Sequence, residues 1–377
     1  MSQEKFRGFF GQGFFEWQYP YQEQFWKERH YDEDKYWGGF SREPLDMNTY
    51  RLPEWAIGGF EKHESGPVLA PSPEGWDSGR FGGGVHNGSI LRKGELFYYI
   101  YRGERELSPP VLDSEGHLFN YTCDIGIATS PDGLHFTKDT ANSPLFATGE
   151  DADYSFEDAN VVKHEGSYYL FCNRWYWPEP MNPARCGCFL AVSNDLITWK
   201  KHGLVFPHAT EIHRNPCVVQ SPDNEAVRIN GRFVMYLNNG IIAYSDDMLH
   251  WESEVTETLW PGGEGCFALA NYNRNYPDHI LLFTGGQHTG HFYAIGEVLF
   301  HKDHPGKPLE WLPRPVLYAE TRIPWEDGYS AEAPHQPVSY WRDTIFFTGM
   351  TRHDGKWWLY YGGSEYYTCL ATAAADG

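Results

Sequence analysis

Short polar and acidic groups recur along this sequence at the points where apolar stretches begin. They are His86-Asn87, Glu157-Asp158, Arg214-Asn215, Glu264-Gly265 and Glu332-Ala333-Pro334-His335. Hydrolysis of a glycosidic bond needs one carboxylic acid to protonate the leaving oxygen, and a second carboxylate that activates water or attacks the sugar. Asp158, Glu264 and Glu332 are therefore the candidate catalytic residues, provided that the fold brings them together.

Basic and aromatic residues near these groups could bind a sugar. Arg102, Arg174 and Arg214 could hold sugar hydroxyls or restrain the carboxylates, although structural salt bridges explain them nearly as well. Flat rings bind the apolar faces of sugars, and packing between sheets is the alternative role for each ring. The other predicted substrate-binding residues are His86, Asn87, Glu157, Trp175, Asn215 and His335, with Tyr176 or Trp177 as alternative stacking residues.

The sequence does not indicate a metal or a nucleotide cofactor. Histidines occur near the acidic groups, but no tight His-x-His or His-Glu-x-x-His motif is present. The glycine runs Gly82-Gly83-Gly84 and Gly262-Gly263 do not precede helices, which disfavours a phosphate-binding loop of the nucleotide type. We therefore expect neither a metal site nor a cofactor.

A repeated phrase shows which elements would position these residues. Ala128–Phe136 reads ATSPDGLHF, Ala191–Trp199 reads AVSNDLITW, and Ala243–Trp251 reads AYSDDMLHW. Each copy predicts a strand that ends in an Asp-bearing turn, in which side chains bond the backbone, followed by an aromatic residue that re-enters the core.

Hairpins with glycine-containing turns precede each copy of the phrase, and two weaker units follow, which gives five. Such units bury their apolar faces by stacking radially, as in β-propellers. A β-sandwich is the alternative, but it does not explain the repeated phrase. The sequence thus predicts an all-β fold, a five-bladed β-propeller whose innermost strands bring the five polar groups to one central funnel. The predicted hairpins are Ser89–Tyr101, Asn160–Cys172, Val227–Leu237, Phe267–Gly285 and Pro337–Gly362.

The first 65 residues lack the repeated phrase and are rich in Phe, Trp, Tyr and charged residues. We expect residues 1–65 to form an irregular aromatic-rich arm on the propeller, which would comprise residues 66–377. A separate N-terminal domain is the alternative, although so short a segment would have a marginal core.

Composition excludes several classes of partner. The 377 residues include 51 acidic and 30 basic ones, and the formal charge of −21 argues against nucleic acid as a partner. The seven cysteines lack the spacing of a zinc site, and their odd number does not indicate a disulfide framework. No apolar stretch predicts a membrane span or a secretory signal. We expect a cytoplasmic protein that binds an oligosaccharide.

Several of these motifs resemble glycoside hydrolase family 130, and more loosely families 43 and 32, which contain five-bladed propeller enzymes. The similarity spans roughly residues 66–373. It includes Gly66-Pro67-Val68-Leu69, His86-Asn87-Gly88 with Tyr101-Arg102, Glu157-Asp158-Ala159-Asn160 with Tyr168-Tyr169, Trp358-Leu359-Tyr360-Tyr361-Gly362-Gly363 and Leu370-Ala371-Thr372.

The resemblance implies roles for individual residues. In family 130 the Asp of a Glu-Asp-Pro-Arg phrase is the general acid on β-mannosides, acting through a sugar hydroxyl, which implies this role for Asp158. Here Ala159-Asn160 replaces Pro-Arg, and Leu237-Asn238-Asn239 stands where the phosphorylases carry a His-Arg-Pro cluster. Both changes remove positive charge that a phosphate dianion would need, and so favour hydrolysis.

The sequence therefore predicts an inverting exo-glycosidase with a β-mannoside as its nominal substrate. Asp158 would be the acid, and Glu264, or alternatively Glu332, would activate water across about 6.5–9.5 Å. Glu332 resembles the acid-bearing phrase of family 43, although it lies in the last blade. A phosphate-dependent phosphorylase and a non-catalytic glycan-binding propeller are the alternatives.

Overall fold

In a computed structural model, the regular secondary structure of the described residues is almost entirely β-strand. The structure describes residues 51–112, 118–147, 151–180, 182–256, 260, 264–288, 292–313, 315–320, 322–339, 341 and 344–375. Within these ranges the helical structure is limited to 3-10 turns, at Asp151 and at Asn238–Gly240. No helix among these residues is long and apolar enough to cross a membrane. The prediction of an all-β fold is confirmed.

The strands form five consecutive antiparallel units. In chain order they are β1 (Glu61–Lys62), β2 (Val85–Lys93), β3 (Leu96–Leu112), β4 (Leu118–Ser130), β5 (Thr137–Lys138), β6 (Tyr154–His164), β7 (Ser167–Tyr176), β8 (Gly187–Ser193), β9 (Lys200–Leu204), β10 (Cys217–Gln220), β11 (Arg228–Ile229), β12 (Arg232–Tyr236), β13 (Ile241–Ser245), β14 (Glu252–Val255), β15 (Glu264–Ala270), β16 (His279–His288), β17 (Phe292–His301), β18 (Pro308–Trp311), β19 (Ile345–His353), β20 (Lys356–Gly363) and β21 (Tyr367–Ala374). The units are β2–β5, β6–β9, β10–β14, β15–β18, and β19–β21 with β1.

The innermost strands of the five units form a ring. β2 contacts β6, β6 contacts β10, β10 contacts β15, β15 contacts β19, and β19 returns to β2. β10 and β15 also pair in parallel, with Val219 opposite Ala268. This cyclic order is that of a propeller, so the predicted propeller fold is confirmed.

Apolar side chains fill the space between every pair of neighbouring units. Five buried clusters join units one and two, two and three, three and four, four and five, and five and one. In the last of these, Val85 and Tyr99 of the first unit pack with Tyr360 and Leu370 of the fifth. Because each unit buries both faces of its sheet against neighbours, the units are stable only as a closed ring.

The repeated phrase forms the same turn in three units, as predicted. Asp195 Oδ1 accepts hydrogen bonds from the backbone N–H groups of Ile197 and Thr198 at 2.8 and 2.7 Å. Ser193 Oγ accepts hydrogen bonds from the backbone N–H groups of Asp195 and Leu196, and it donates to Asp195 Oδ1 at 2.9 Å. The equivalent pairs are Ser130 with Asp132 and Ser245 with Asp247.

The hairpins also form, with differences in the third and fifth units; in the fifth, the first strand begins at Ile345 and not near Pro337. Glu165-Gly166 and Asn230-Gly231 occupy positive-φ turns, as their sequence indicated. The hairpin around Asn230-Gly231 joins β11 to β12, whereas the innermost strand is the separate β10.

The segment before the propeller crosses the fourth and fifth units. Trp55 and Ile57 lie in the cluster between these units, and β1 pairs with β21 as the outermost strand of the fifth. The prediction for the arm falls outside the described residues over positions 1–50, so the domain boundary at residue 65 stays a prediction.

Candidate active site

Irregularities near the start of the innermost strands turn side chains towards one end of the ring. The register of β2 with β3 shifts between His86 and Gly88, and that of β6 with β7 shifts between Glu157 and Asn160. Similar shifts occur in β15 around Cys266 and in β19 around Thr348. Such β-bulges commonly re-aim side chains beside functional sites.

Positive φ angles occur at three of the polar groups, two of them at these register shifts. They are 35° at Asn87, 58° at Asp158 and 54° at Asn215, on neighbouring units. Asn and Asp tolerate this backbone conformation better than other side chains. The residue types at the polar groups therefore fit the backbone as well as the chemistry.

A pocket opens where these strands meet, and all five units contribute to it. Its lining residues are Asn87, Gly88, Asp158, Ala159, Asn160, Asn215, Pro216, Gly265, Cys266, Phe346, Phe347 and Thr348. The convergence predicted for residues distant in the chain is therefore observed for four of the five polar groups.

Asp158 is held by donors from three strands. Its Oδ1 accepts from Asn87 Nδ2 at 3.0 Å and from Arg102 Nη1 at 3.2 Å, and its Oδ2 accepts from Asn173 Nδ2 at 3.0 Å. Asn173 is itself fixed, because its Oδ1 accepts from the backbone N–H of Asn215 at 2.8 Å. The Asp158 side chain nevertheless remains 20 % exposed, so a substrate can reach it.

Glu157 and Glu104 lie on either side of the same Arg102 guanidinium. Arg102 Nη1 is 2.6 Å from Glu157, and its Nη2 is 2.6 Å from Glu104. Burial raises the pKa of Glu157 to about 7 and outweighs the opposing charge of Arg102, while the neighbouring Asp158 and Glu104 charges add to the rise. The pKa of Glu104 is instead lowered, because Arg102 and Arg80 overcome its burial.

Glu264 occupies the fourth unit's position next to the pocket-lining Gly265. Its Oε1 lies 3.5 Å from Arg214 Nη2, and its side chain is 18 % exposed. Burial raises the pKa of Glu264 to about 7, and the Asp158 and Glu365 charges contribute to this despite Arg214. Asp158 and Glu264 are therefore close enough to influence each other electrostatically.

His86 is completely buried between two carboxylates. Its Nε2 is 3.4 Å from Glu104 and its Nδ1 is 3.7 Å from Glu365. Burial lowers the pKa of a histidine, but here Glu365 and Glu104 outweigh it and the pKa is raised. The cationic imidazole is thus favoured as a structural counter-ion in this network.

Glu332 and His335 do not lie where the sequence indicated. Both are exposed, and β19 begins only at Ile345, so the prediction that they directly precede the fifth innermost strand is wrong. The segment that contains Glu332 and His335 does not enter the sheet. It forms local turns, such as the one closed by the hydrogen bond from the Gln336 N–H to the Ala333 carbonyl. Phe346 and Thr348 take this place in the pocket.

Two further predicted residues, Arg174 and Trp175, are not among the residues that line the pocket. Arg174 Nε donates to the Arg185 carbonyl at 3.1 Å, and its guanidinium stacks over Tyr154. Trp175 is buried and stacks on Trp177 with ring centroids 5.7 Å apart. Asn173, one residue before Arg174, faces Asp158 because side chains alternate along a strand.

Other residues at the site were missed by the sequence analysis. They are Glu104, Asn173, Cys266, Phe346, Thr348 and Glu365. Glu104 could have been found from Arg102, because residues two apart on a strand have their side chains on the same face. Glu365 gave none, because it follows a Gly-Gly-Ser turn that marks only a loop. Among the described residues, no group of three His, Cys, Asp or Glu side chains could hold a metal ion.

Comparisons with known proteins agree with this architecture. No protein-family model matches the chain. A curated relative, the 1,2-β-oligomannan phosphorylase of Thermoanaerobacter sp. (strain X514), is 24 % identical over 314 residues, which cover 79 % of this chain and 92 % of the relative.

Solved structures share the fold. One from the GH130 family of mannoside phosphorylases, which contains glycoside hydrolases that target β-1,2-mannosidic linkages in Candida mannan, has a TM-score of 0.66 and 22 % identity, covering 87 % of this chain and 98 % of that one. The β-1,2-mannobiose phosphorylase of Listeria innocua has a TM-score of 0.61 and 15 % identity, with 84 % and 97 % covered. A GH43 β-xylosidase/α-arabinofuranosidase from a compost metagenome has a TM-score of 0.51 and 14 % identity, with 84 % and 94 % covered. In sequence and fold, the chain resembles glycoside hydrolase family 130, with a looser likeness to family 43.

Proposed function

We propose that this protein hydrolyses β-mannosides, with β-1,2-linked manno-oligosaccharides as the nominal substrates, and inverts the anomeric configuration. The substrate class rests on the names of the relatives. The observation that carries the reaction type is that Asp158 lines the pocket and Glu264 directly precedes the lining residue Gly265, with the pKa of Glu264 raised to about 7. A carboxylate of that basicity suits the activation of water near neutral pH.

The proposed reaction uses both carboxylates. Glu264 takes a proton from water as the water oxygen bonds to the anomeric carbon. The glycosidic C–O bond breaks, and the leaving oxygen takes a proton that originates on Asp158, directly or through a sugar hydroxyl. Because attack occurs opposite the leaving group, the product has the inverted configuration.

Glu157 supports Asp158 in this scheme. As the general acid, Asp158 must regain a proton after each turnover. Glu157 shares Arg102 Nη1 with Asp158 and, with a pKa of about 7, retains a proton near neutrality. It is the adjacent group from which the proton can return.

Charge at the site favours water over phosphate as the nucleophile. Among the described residues, the two arginines beside Asp158 and Glu264 are already opposed by carboxylates: Arg102 by Glu104 and Glu157, and Arg214 by Glu264. A phosphate dianion would have to displace these carboxylates or bind beside them, and both are costly. Phosphorolysis is the second candidate, because the curated relative is named a phosphorylase.

One assay separates the two reactions. The enzyme is incubated with β-1,2-mannobiose and longer oligomers, with and without inorganic phosphate. We expect mannose without phosphate; a strict phosphate requirement with mannose 1-phosphate as product would establish phosphorolysis instead. Asp158→Asn keeps a residue that tolerates positive φ and should lower kcat by about 10²–10⁴-fold. Unchanged turnover in this variant would remove Asp158 from the mechanism.

A further inference from the structure

The outer edge of the fourth unit carries exposed apolar side chains. β18 is the outermost strand of this unit, and among the described residues no further strand pairs with its free edge. On this strand Leu309 is 52 % exposed and Trp311 is 37 % exposed. Leu309, Trp311 and the free edge of β18 together form an outer patch. An unpaired strand edge with apolar side chains is a place where another extended segment can add to a sheet.

The first described residues of the chain are attached at the same strand. Trp55 Nε1 donates to Glu310 Oε2 at 2.8 Å, and the Trp55 ring is buried between units four and five. The Glu54 carbonyl accepts from Asn273 Nδ2 at 2.6 Å, and the Trp55 carbonyl accepts from Tyr272 OH at 2.7 Å. These contacts fix the point at which the preceding part of the chain joins the propeller, and this point is beside the outer patch.

The 50 residues before this point have the length and the composition to cover the patch. Neighbouring strands lie about 4.8 Å apart and an extended residue spans about 3.3 Å, so a few residues are enough to reach the free edge. Residues 1–50 contain seven Phe, three Trp and five Tyr, but only one Leu and no Ile or Val. So many aromatic side chains gain stability from burial, whereas a segment of this size has a marginal core of its own. An apolar surface of the propeller is therefore where they can be buried.

We propose that residues 1–50 dock along the outer edge of the fourth unit of the same chain and cover Leu309 and Trp311. Because the attachment at Trp55 holds the segment beside β18, its effective concentration there exceeds that of a second copy in dilute solution. The docked segment adds main-chain hydrogen bonds to the edge of β18 and removes the two apolar side chains from water. This role does not depend on the proposed function.

Cross-linking of the full chain tests the location. Lys27 and Lys35 lie in the segment, and Lys307 directly precedes β18. A lysine-specific cross-linker followed by peptide mapping should join Lys27 or Lys35 to Lys307. It should not join them to Lys93, which is exposed at the β2–β3 hairpin of the first unit. Absence of any link to Lys307 would overturn the proposal.

A mixture of unlabelled and isotope-labelled protein identifies the chain that is covered. Links between peptides with the same label show docking within one chain, which is the expected result. Links that always join a labelled peptide to an unlabelled one as often as chance allows would place the segment on a second copy, and would overturn the proposal.

Hydrogen exchange of the full chain tests whether the outer patch holds the segment. In the wild type, the amides of residues 1–50 should exchange more slowly than those of an unstructured chain. Leu309→Asp should speed this exchange about 10-fold, because a charge replaces an apolar side chain that the segment covers. Leu96→Asp is the matched control: Leu96 is 38 % exposed at the start of β3 in the first unit, and its replacement should leave the segment unchanged.

Exchange of β17, which pairs with β18, reports on folding of the unit in the same samples. If Leu309→Asp also speeds exchange of β17, Trp311→Gln replaces it as the milder change at the patch. Unchanged exchange of residues 1–50 in the variant whose β17 stays protected would overturn the proposal. So would exchange of the wild-type segment at the rate of an unstructured chain.

Discussion

Burial gives the acidic residues around the pocket different properties. Glu104 has a lowered pKa because two arginines face it, whereas the pKa values of Glu157 and Glu264 rise to about 7. These residues share one network, so their difference comes from the number and distance of the cations beside each. Acid–base catalysis by carboxyl groups requires such different pKa values, so that one group is protonated while another is ionised.

Glu264 should control the acidic limb of the pH profile. A general base must be ionised, so kcat/KM should fall as the pH drops below about 7, where Glu264 gains a proton. Glu264→Gln should lose about 10²–10⁴-fold in kcat, and azide should restore turnover by replacing activated water. Because the base acts on the face opposite the leaving group, NMR should show an α-mannosyl azide. No azide product, or an unchanged acidic limb, would transfer the role of base to another group.

Cys266 offers a direct probe of the pocket. It is partly exposed in the pocket lining, whereas the other six cysteines are buried. Burial raises its pKa, so alkylation by iodoacetamide should be slow at neutral pH and faster in alkali. Peptide mapping should find that Cys266 is labelled first. Activity should fall in proportion to this labelling, and bound sugar should slow both the labelling and the loss of activity. Cys266→Ser should resist inactivation; full activity after labelling of Cys266 would show that the pocket is not the active site.

At this scale the sequence located Arg102 and the residues that precede the innermost strands, but not Asn173 or the residues in turns. Asp158 and Glu264 could be found because a repeated unit predicts where each innermost strand begins. Asn173 and Glu365 could not, since their approach to the pocket depends on how neighbouring strands stack. Glu332 was misplaced because the fifth unit begins after a long irregular segment whose length has no counterpart in the other units.

Among the elements, β17 carries a buried acid that binds the N-terminal segment. The Glu297 side chain is completely buried, and its oxygens accept from the Ile57 N–H at 3.2 and 3.3 Å. Burial raises the pKa of Glu297 well above its ordinary value, and the Ile57 N–H opposes this only in part. Glu297 therefore links the stability of the attachment to pH.

The sign of this linkage follows from the raised pKa. Stability from Glu297 is fully present below its unfolded pKa of about 4.3 and is lost as the pH rises towards the folded value. Glu297→Gln stays neutral and keeps an oxygen for the Ile57 N–H. The stability of the wild type relative to this variant should therefore fall by up to about 1.4 kcal/mol per pH unit above pH 4.3, measured by urea unfolding. Parallel curves for both proteins would contradict a raised pKa at this position.

The elements themselves were largely predictable, because their signals are local. The Ser-x-Asp turns and the Asn-Gly and Glu-Gly hairpins depend on side chains within a few residues of one another. The bulges around Asn87, Cys266 and Thr348 were not predicted. A bulge depends on the partner strand, and nothing in a single strand's sequence reports its register.

For the whole molecule, the decisive feature is how the ring closes. The fifth unit combines β19–β21 from the end of the chain with β1 from before the first unit, and Lys62 lies opposite Ala371. The repeated phrases predicted the number of units, but β1 has only two residues and is too short to be recognised as part of a repeat. The sequence analysis therefore included β1 in the arm and could not show that this segment completes a sheet.

Lys62 ties this closing strand to a buried acid. Its Nζ lies 2.6 Å from Glu326 and donates to the Tyr318 carbonyl at 2.6 Å. Glu326 is fully buried and also accepts from Tyr361 OH at 2.6 Å, on β20. Lys62 on β1 is thus connected through Glu326 to Tyr361 on β20, within the fifth unit.

Lys62→Met should therefore destabilise the whole ring, because it leaves the buried Glu326 carboxylate without its cation, at a cost of about 3–5 kcal/mol. Glu61→Gln is the matched control, since Glu61 is exposed on the same strand and should change stability by less than about 0.5 kcal/mol. Adding Glu326→Gln to Lys62→Met removes the uncompensated charge and should recover part of the loss, which a double-mutant cycle of unfolding free energies would measure. If Lys62→Met proves no worse than Glu61→Gln, closure depends on the apolar clusters between units alone, and the ion pair at the closing strand is dispensable.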